Sequence, residues 1–374
     1  MNLFDIIVDE KELHPNFVNV KRDPYKVEVL EEWGKSDLLL HDGNGKFIKE
    51  FQTTFNSAFW ELYCYKVFEI MGAKFNFEHE HPDFLIELNG EKLAVECTIA
   101  NNAKDAPPES DFKEHMKYEV NLEEIVYKQT LRLSNAFCGK VKKYKEKYCK
   151  KGWVKDIPFV IALEPFDQAN FMFTGTESIR TLLYGWKIER ETHDEYSVES
   201  IEKSKESNIK MGLFLEPEYS DISGVLFSNT ATIGKVDAIG NNPDLTFGQI
   251  RYNVNYDRPQ ASFDSRLKQT KTDLRCQAIK KATELPQNAY KKYTIRRPYL
   301  IWEQKYTEDI TDGLILFINP YSNKPISENI IKIMKDRGVN IVTYDVEKNE
   351  DVWDVHDGSL IQRKVFNFTS RNTY

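Results

Sequence analysis

Glu61, Asp83 and Glu96 place three carboxylates on three successive stretches that read as ordered elements. Oxygen donors of this kind suit a hard divalent cation, Mg²⁺ or Mn²⁺. Such an ion lowers the pKa of a water and neutralises charge on a phosphoryl group. Taken alone, Glu61 is more often a surface glutamate beside an apolar face than part of a site.

The elements that must position them follow from the residue pattern. Phe59, Leu62, Tyr63, Val67, Ile70 and Met71 give residues 55–72 a wide apolar helical face. Asn56 or Ser57 is the expected cap and Gly72 the expected stop. Residues 84–88 and 92–99 flank Asn89-Gly90, the strongest short-range hairpin signal. Alternation puts Leu93, Val95, Cys97 and Ile99 on one face, and Ala94, Glu96 and Thr98 on the other. Asp83 follows Pro82 at the mouth of the first strand. A glutamate inside VECTI runs against strand preference and needs a reason to be there.

A helix glutamate, Pro82-Asp83 at a strand start, and Glu96-Cys97-Thr98 on the next strand resemble the PD-(D/E)xK nuclease superfamily. The resemblance covers roughly residues 51–165. It implies an α/β fold with a mixed central β-sheet flanked by helices, a restriction-endonuclease-like core with C-terminal elaborations. It also implies a Mg²⁺-dependent endonuclease that acts on DNA more often than on RNA. On this resemblance Asp83 and Glu96 hold the ion, with the Cys97 carbonyl as a backbone ligand. Glu61 serves a second ion or a water. The sequence departs from the superfamily at Thr98, which stands where a lysine is expected. Thr98 can hydrogen-bond a water but brings no charge. Superfamily lysines migrate to neighbouring elements, and Lys140 is the first candidate here, with Arg132 behind it. A surface or phosphate-positioning role for Lys140 is the equal alternative. The stretches LRLSNAFCGKVKKY, PFVIAL, SGVLFSNTATIGK and DGLILFINPYSNKP resemble an uncharacterised bacterial group in the same superfamily, to which no activity is attached.

Leu131, Leu133, Phe137, Val141 and Tyr144 predict a long helix over residues 117–150, and IPFVIAL (157–163) a buried strand. Strand, helix, strand implies a parallel crossover. Gln129 and Ser134 are candidates to face the same site. Seven lysines lie between Lys140 and Lys151 against Glu146 alone, and residues 266–297 are also basic. With a net charge of -8 and a pI near 5.6, the chain is not coated in phosphate-binding charge. Local basic strips nevertheless suit a nucleic-acid groove, to which Arg132, Lys142 and Lys143 are assigned. Most lysine runs are simply solvated helix faces. His79, His81 and Asp83 offer another metal set, although two histidines in a loop are more often incidental.

Residues 1–50 read as an N-terminal extension, with KVEVL strand-like and a turn at HDGNGK. Residues 102–116 read as an exposed loop, 166–186 as a loop and short helix, and 187–209 as a flexible insertion. Strands are expected at 211–216, 222–229, 312–319 and 339–344, with a helix near 326–337. The C-terminal part, 166–374, is expected to pack on the same sheet.

The 374 residues are 41% hydrophobic and 29% charged, a soluble globular composition. The N-terminus lacks signal-peptide features, and no apolar run approaches the ~18 residues of a membrane span. Five scattered cysteines without a CxxC pair fit reduced thiols. A cytoplasmic location is the expectation. Beyond a nuclease, two other classes stay open. One is a non-catalytic nucleic-acid-binding or assembly module on a degenerate nuclease fold, which Thr98 favours. The other, by analogy alone, is a partner protein in a defence or mobile-element system. A homodimer would suit cutting of two strands.

Overall fold

The fold is that of a computed structural model, which describes residues 2–35, 37–42, 44–111, 121–189, 192, 194–204, 206–240, 242, 245–252, 260–265, 299–302, 308–356 and 359–367. The basic segment 266–297 and residues 117–120 of the expected long helix lie outside them.

The chain opens in helices: α1 (Pro15–Lys21), α2 (Pro24–Gly34), α3 (Asp37–Leu40), α4 (Lys46–Thr53) and α5 (Phe55–Ile70). His14 and Asp23 cap α1 and α2, and each helix has proline in its first turn. KVEVL therefore lies in a helix, contrary to the strand expectation. Val29, Leu30 and Trp33 continue its pattern at helical spacing, and Trp33 packs on Phe59 and Tyr63 with ring centroids 6.3 and 6.1 Å apart. Residues 1–50 accordingly contribute to the core, with Leu3, Phe17 and Leu30 fully buried. The cap expected on α5 is also corrected. The helix starts at Phe55, and Asn56 turns inward to bond Asn16 and Glu109. Gly72 ends the segment as expected, at φ +82°.

β1 (Lys74–Phe75), β2 (Phe84–Leu88) and β3 (Glu91–Asn101) are antiparallel neighbours. Asn89 and Gly90 both take positive φ, as a two-residue hairpin turn requires. The helix α6 (Leu122–Glu146), capped by Asn121, leads to β4 (Phe159–Phe166), which pairs parallel to β3. Next come α7 (Glu177–Tyr184) and the short antiparallel ladders β5 (Trp186–Ile188) with β6 (Glu195–Ser197) and β7 (Ser200–Ser204) with β8 (Ser207–Lys210). These ladders fall within the stretch expected as a flexible insertion at 187–209. The apolar run at 211–216 is no strand, because Gly212 at φ +69° turns it into a 3₁₀ turn over Leu213–Leu215.

The sheet continues through β9 (Gly224–Phe227), which is followed by α8 (Ile233–Ile239). A separate four-stranded sheet has the order β12 (Tyr299–Trp302), β11 (Gln260–Ser265), β10 (Leu245–Tyr252), β16 (Leu360–Asn367). The main sheet is completed by β13 (Ile315–Ile318), β14 (Asn340–Asp345) after α9 (Glu328–Asp336), and β15 (Glu350–Asp354). Its eight strands run β1-β2-β3-β4-β9-β13-β14-β15 with parallel and antiparallel pairs. The protein is thus a mixed α/β structure with one large mixed sheet flanked by helices. Leu93, Val95 and Cys97 bury against α5 and the N-terminal helices. Ala94 and Ile161 bury on the opposite face with Leu133, Phe137, Val141 and Tyr144 of α6. Among the described residues no helix is long and apolar enough to cross a membrane.

Candidate active site

The hairpin register brings two of the three carboxylates together. Phe84 pairs with Val95, so Asp83 and Glu96 stand one step further along, opposite each other and on one face. The Cys97 N–H donates to Asp83 Oδ2 at 2.7 Å, which fixes that carboxylate against the strand carrying Glu96. Glu96 has no exposed surface. Its Oε1 accepts from Lys140 Nζ at 2.7 Å, Lys143 Nζ at 2.9 Å and the Tyr148 hydroxyl at 3.1 Å. Its Oε2 is buried with no hydrogen-bond partner among the described residues. Lys140 and Lys143 are three residues apart on α6 and so share a helix face.

The electrostatics are asymmetric. Burial alone would raise the Glu96 carboxyl, but Lys140 and Lys143 overcome that and hold it below its ordinary value. Burial and then the Glu96 charge push Asp83 up to about 7, against the pull of Lys140 and the Cys97 N–H. Glu61, half-buried on α5, is pushed well above the usual carboxylate range by burial, then by Asp83, Glu50 and Glu96. At neutral pH Glu96 is therefore ionised, while Asp83 and Glu61 hold a proton more readily than ordinary carboxylic acids.

The other sequence candidates fall as follows. Thr98 lies on the Glu96 face, half-buried, and its hydroxyl makes no hydrogen bond among the described residues. The Cys97 side chain points to the opposite face, so only its backbone can belong to the site. Lys142 is exposed and 3.8 Å from Glu146. Lys143 is a direct partner of Glu96, closer to the chemistry than its assignment to nucleic acid supposed. Arg132 lines a different cavity with Asp167. Gln129 and Ser134 are corrections. Gln129 bonds Asp167 at 3.3 Å and Thr174 at 2.6 Å, and Ser134 lies against Cys138, because both are on the buried side of α6. His79 stacks on Trp153 with ring centroids 3.7 Å apart, and the His81 carbonyl accepts the Trp153 indole N–H. Incidental loop histidines describe this pair better than metal ligands do.

Among the described residues no group of three or more His, Cys, Asp or Glu side chains is gathered closely enough to hold a metal ion by itself. A two-carboxylate site remains compatible with Mg²⁺, which keeps waters and often shares substrate phosphate oxygens. The donors fit that role: oxygen only, with Glu96 Oε2 buried and unused, and Asp83 raised by the facing charge of Glu96.

Two further groups escaped the sequence reading. Tyr148 is fully buried and reaches Glu96 from just beyond α6, hidden inside a lysine-rich stretch. Glu164 on β4 is fully buried, and neither carboxyl oxygen has a hydrogen-bond partner among the described residues. It lies on the face of Ala162 and Phe166, away from Glu96. Burial, then Cys64, raises its carboxyl well above the ordinary value, against Lys235. A raised carboxylate stabilises the fold below its unfolded pKa of about 4.3, and that contribution is lost as pH rises through the folded value. Glu164→Gln is therefore expected to melt higher than the wild type at pH 8 (~8, well above the ordinary carboxylate range), with the two curves converging toward acid pH. Thermal melts across pH check this, and an unchanged melting temperature at alkaline pH would count against it.

No family model matches the chain, and neither a curated protein nor a solved structure matches it.

Proposed function

We propose that this protein is a metal-dependent phosphodiesterase of the PD-(D/E)xK kind, a nuclease acting on DNA in preference to RNA. The observation that carries the reading is the clamp of Lys140 and Lys143 on Glu96, opposite Asp83. The positive charge missing at Thr98 is delivered from α6. The hairpin β2–β3, the crossing helix α6 and the parallel β4, with α5 on the opposite face of the sheet, support this reading.

Asp83 and the free Glu96 Oε2 would hold Mg²⁺ or Mn²⁺, with the Cys97 carbonyl beside them. The ion, when bound, supplies Lewis acidity and a more acidic water. The chain's own groups do the rest. Lys140 Nζ orients the attacking water and offsets charge building on the scissile phosphate. Lys143 Nζ anchors a neighbouring phosphate oxygen. Glu61 orients water through a hydrogen bond from its carboxyl, and the Tyr148 hydroxyl keeps Glu96 in its rotamer. Phosphate contacts of this sort carry no base specificity.

A second reading, a non-catalytic nucleic-acid-binding or assembly module, draws on Thr98 and on the lysines being committed to Glu96. A Mg²⁺ and Mn²⁺ titration on plasmid and linear DNA separates the two. The nuclease reading expects cutting that saturates with metal and vanishes in EDTA. Metal-independent binding without cutting would favour the module.

A further inference from the structure

The N-terminal half of α6 lines a cavity of about 660 Å³ that the site at Glu96 does not use. The volume falls in the range of small-ligand pockets. Lys128, Arg132 and Asn135 project from the helix, and Asp167, Gln168 and Asn170 come from the turn after β4. Alanine, proline and leucine side chains supply apolar walls between them. Lys128 is paired with Glu124. Arg132 is different: it is half-buried and makes no hydrogen bond or ion pair among the described residues. A half-buried guanidinium whose donors take no hydrogen bond among the described residues can receive an anion, and its planar fork suits a phosphate. Amide side chains around it, with both donors and acceptors, suit the edge of a base. Asp167 shares the cavity and feels the Arg132 charge, but its two oxygens are held by the amides of Gln129 and Gln168, which leaves the guanidinium donors themselves without a hydrogen bond among the described residues.

The placement along α6 adds a second argument. Arg132, Lys140 and Lys143 fall on one helical stripe, and eight residues separate the first two. At 1.5 Å per residue that is roughly 12 Å, or about three to four base steps at 3.4 Å each. We infer that this cavity binds a nucleotide, its phosphate on Arg132 and its base among Asn135, Gln168 and Asn170, as one unit of the strand whose cleaved phosphate lies at Lys140. The inference rests on the nuclease reading for the strand, and on the cavity alone for the nucleotide.

Fluorescence anisotropy tests it on the full chain, with Ca²⁺ replacing Mg²⁺ to limit cutting. One labelled single strand is long enough to pass from Glu96 through the cavity, and a second stops short of it. Deoxyadenosine monophosphate is the free-nucleotide probe. Arg132→Ala should weaken binding of the long strand about tenfold, the usual effect of losing a charged hydrogen bond, and leave the short strand unchanged. Ala106→Trp, which adds bulk to the cavity wall and keeps Arg132, should do the same. If the free nucleotide binds through Arg132 while both strands bind alike, the nucleotide site stands and its place on the strand is overturned. If neither strand nor nucleotide responds to Arg132→Ala, the inference is overturned. Arg132-dependent binding in a protein that never cuts would fall on the nuclease reading and not on the cavity.

Discussion

Lys140→Ala should slow metal-dependent cleavage by about 10²–10³-fold, the usual cost of losing one preorganised donor to developing charge. Lys140 is the closer of the two lysines on Glu96, at 2.7 Å against 2.9 Å, and the less exposed, at 22% against 32%. Its charge acts in a lower dielectric and is worth more to a phosphate in transition. The variant should still fold, because Lys143 and Tyr148 keep Glu96 Oε1 bonded. Lys143→Ala should cost less, about tenfold, and mostly in binding, because a phosphate anchor acts on the ground state too. Lys140→Arg should recover only part of the rate, since a guanidinium cannot reproduce a compact ammonium at a water. Single-turnover rates with separately measured affinities separate these effects. A Lys140→Ala rate within a few-fold of the wild type would assign the positive charge elsewhere.

The largest stability effect should come from Arg180→Ala. Arg180 is 2% exposed and holds two carboxylates at once. Its guanidinium bonds both oxygens of Glu195 at 3.0 Å and both of Asp351 at 2.6 and 2.9 Å. These bonds tie α7 to the β5–β6 ladder and to the edge strand β15. Removing the arginine leaves Asp351 buried and charged beside Trp353, so the loss should be about 3–5 kcal/mol. Arg180→Met combined with Asp351→Asn should return part of it, because the stranded charge is gone as well. Urea unfolding of the single and double variants measures both. A loss under about 1 kcal/mol would mean that solvent reaches the carboxylates when the arginine leaves.

What could be read from the sequence was what local rules decide. Asn89-Gly90 set the hairpin, and a period of two then put Glu96 and Thr98 on one face with Asp83 opposite. The helical spacing of Leu133, Phe137, Val141 and Tyr144 marked the buried side of α6, while Lys140 was a candidate by resemblance alone, with a surface role equally open. Long-range packing decided what was misread. KVEVL begins with strand-like alternation, and only Trp33 beyond it, with Val29 and Leu30, restores the helical period. The apolar run at 211–216 looked like a strand until Gly212 turned it. Gln129 and Ser134 are polar residues on the buried side of α6; the partners of Gln129 on the segment after β4 are invisible to periodicity, and Ser134 meets Cys138 one turn along its own helix. Lys143 and Tyr148 converge on Glu96 only because α6 crosses the sheet at that point. The lysine spacing of three was a usable signal for Lys143; Tyr148 offered none.

The most direct test of the central claim is cleavage of plasmid DNA by the wild type and by Asp83→Asn, side by side in Mg²⁺. Asparagine keeps the shape of Asp83 and can still accept the Cys97 N–H, so the fold should survive and melting curves should show it. The account predicts nicking and linearisation by the wild type, with a loss of about 10³-fold or more in Asp83→Asn. Equal cutting by the two proteins, or none by a folded wild type in either Mg²⁺ or Mn²⁺, would contradict it.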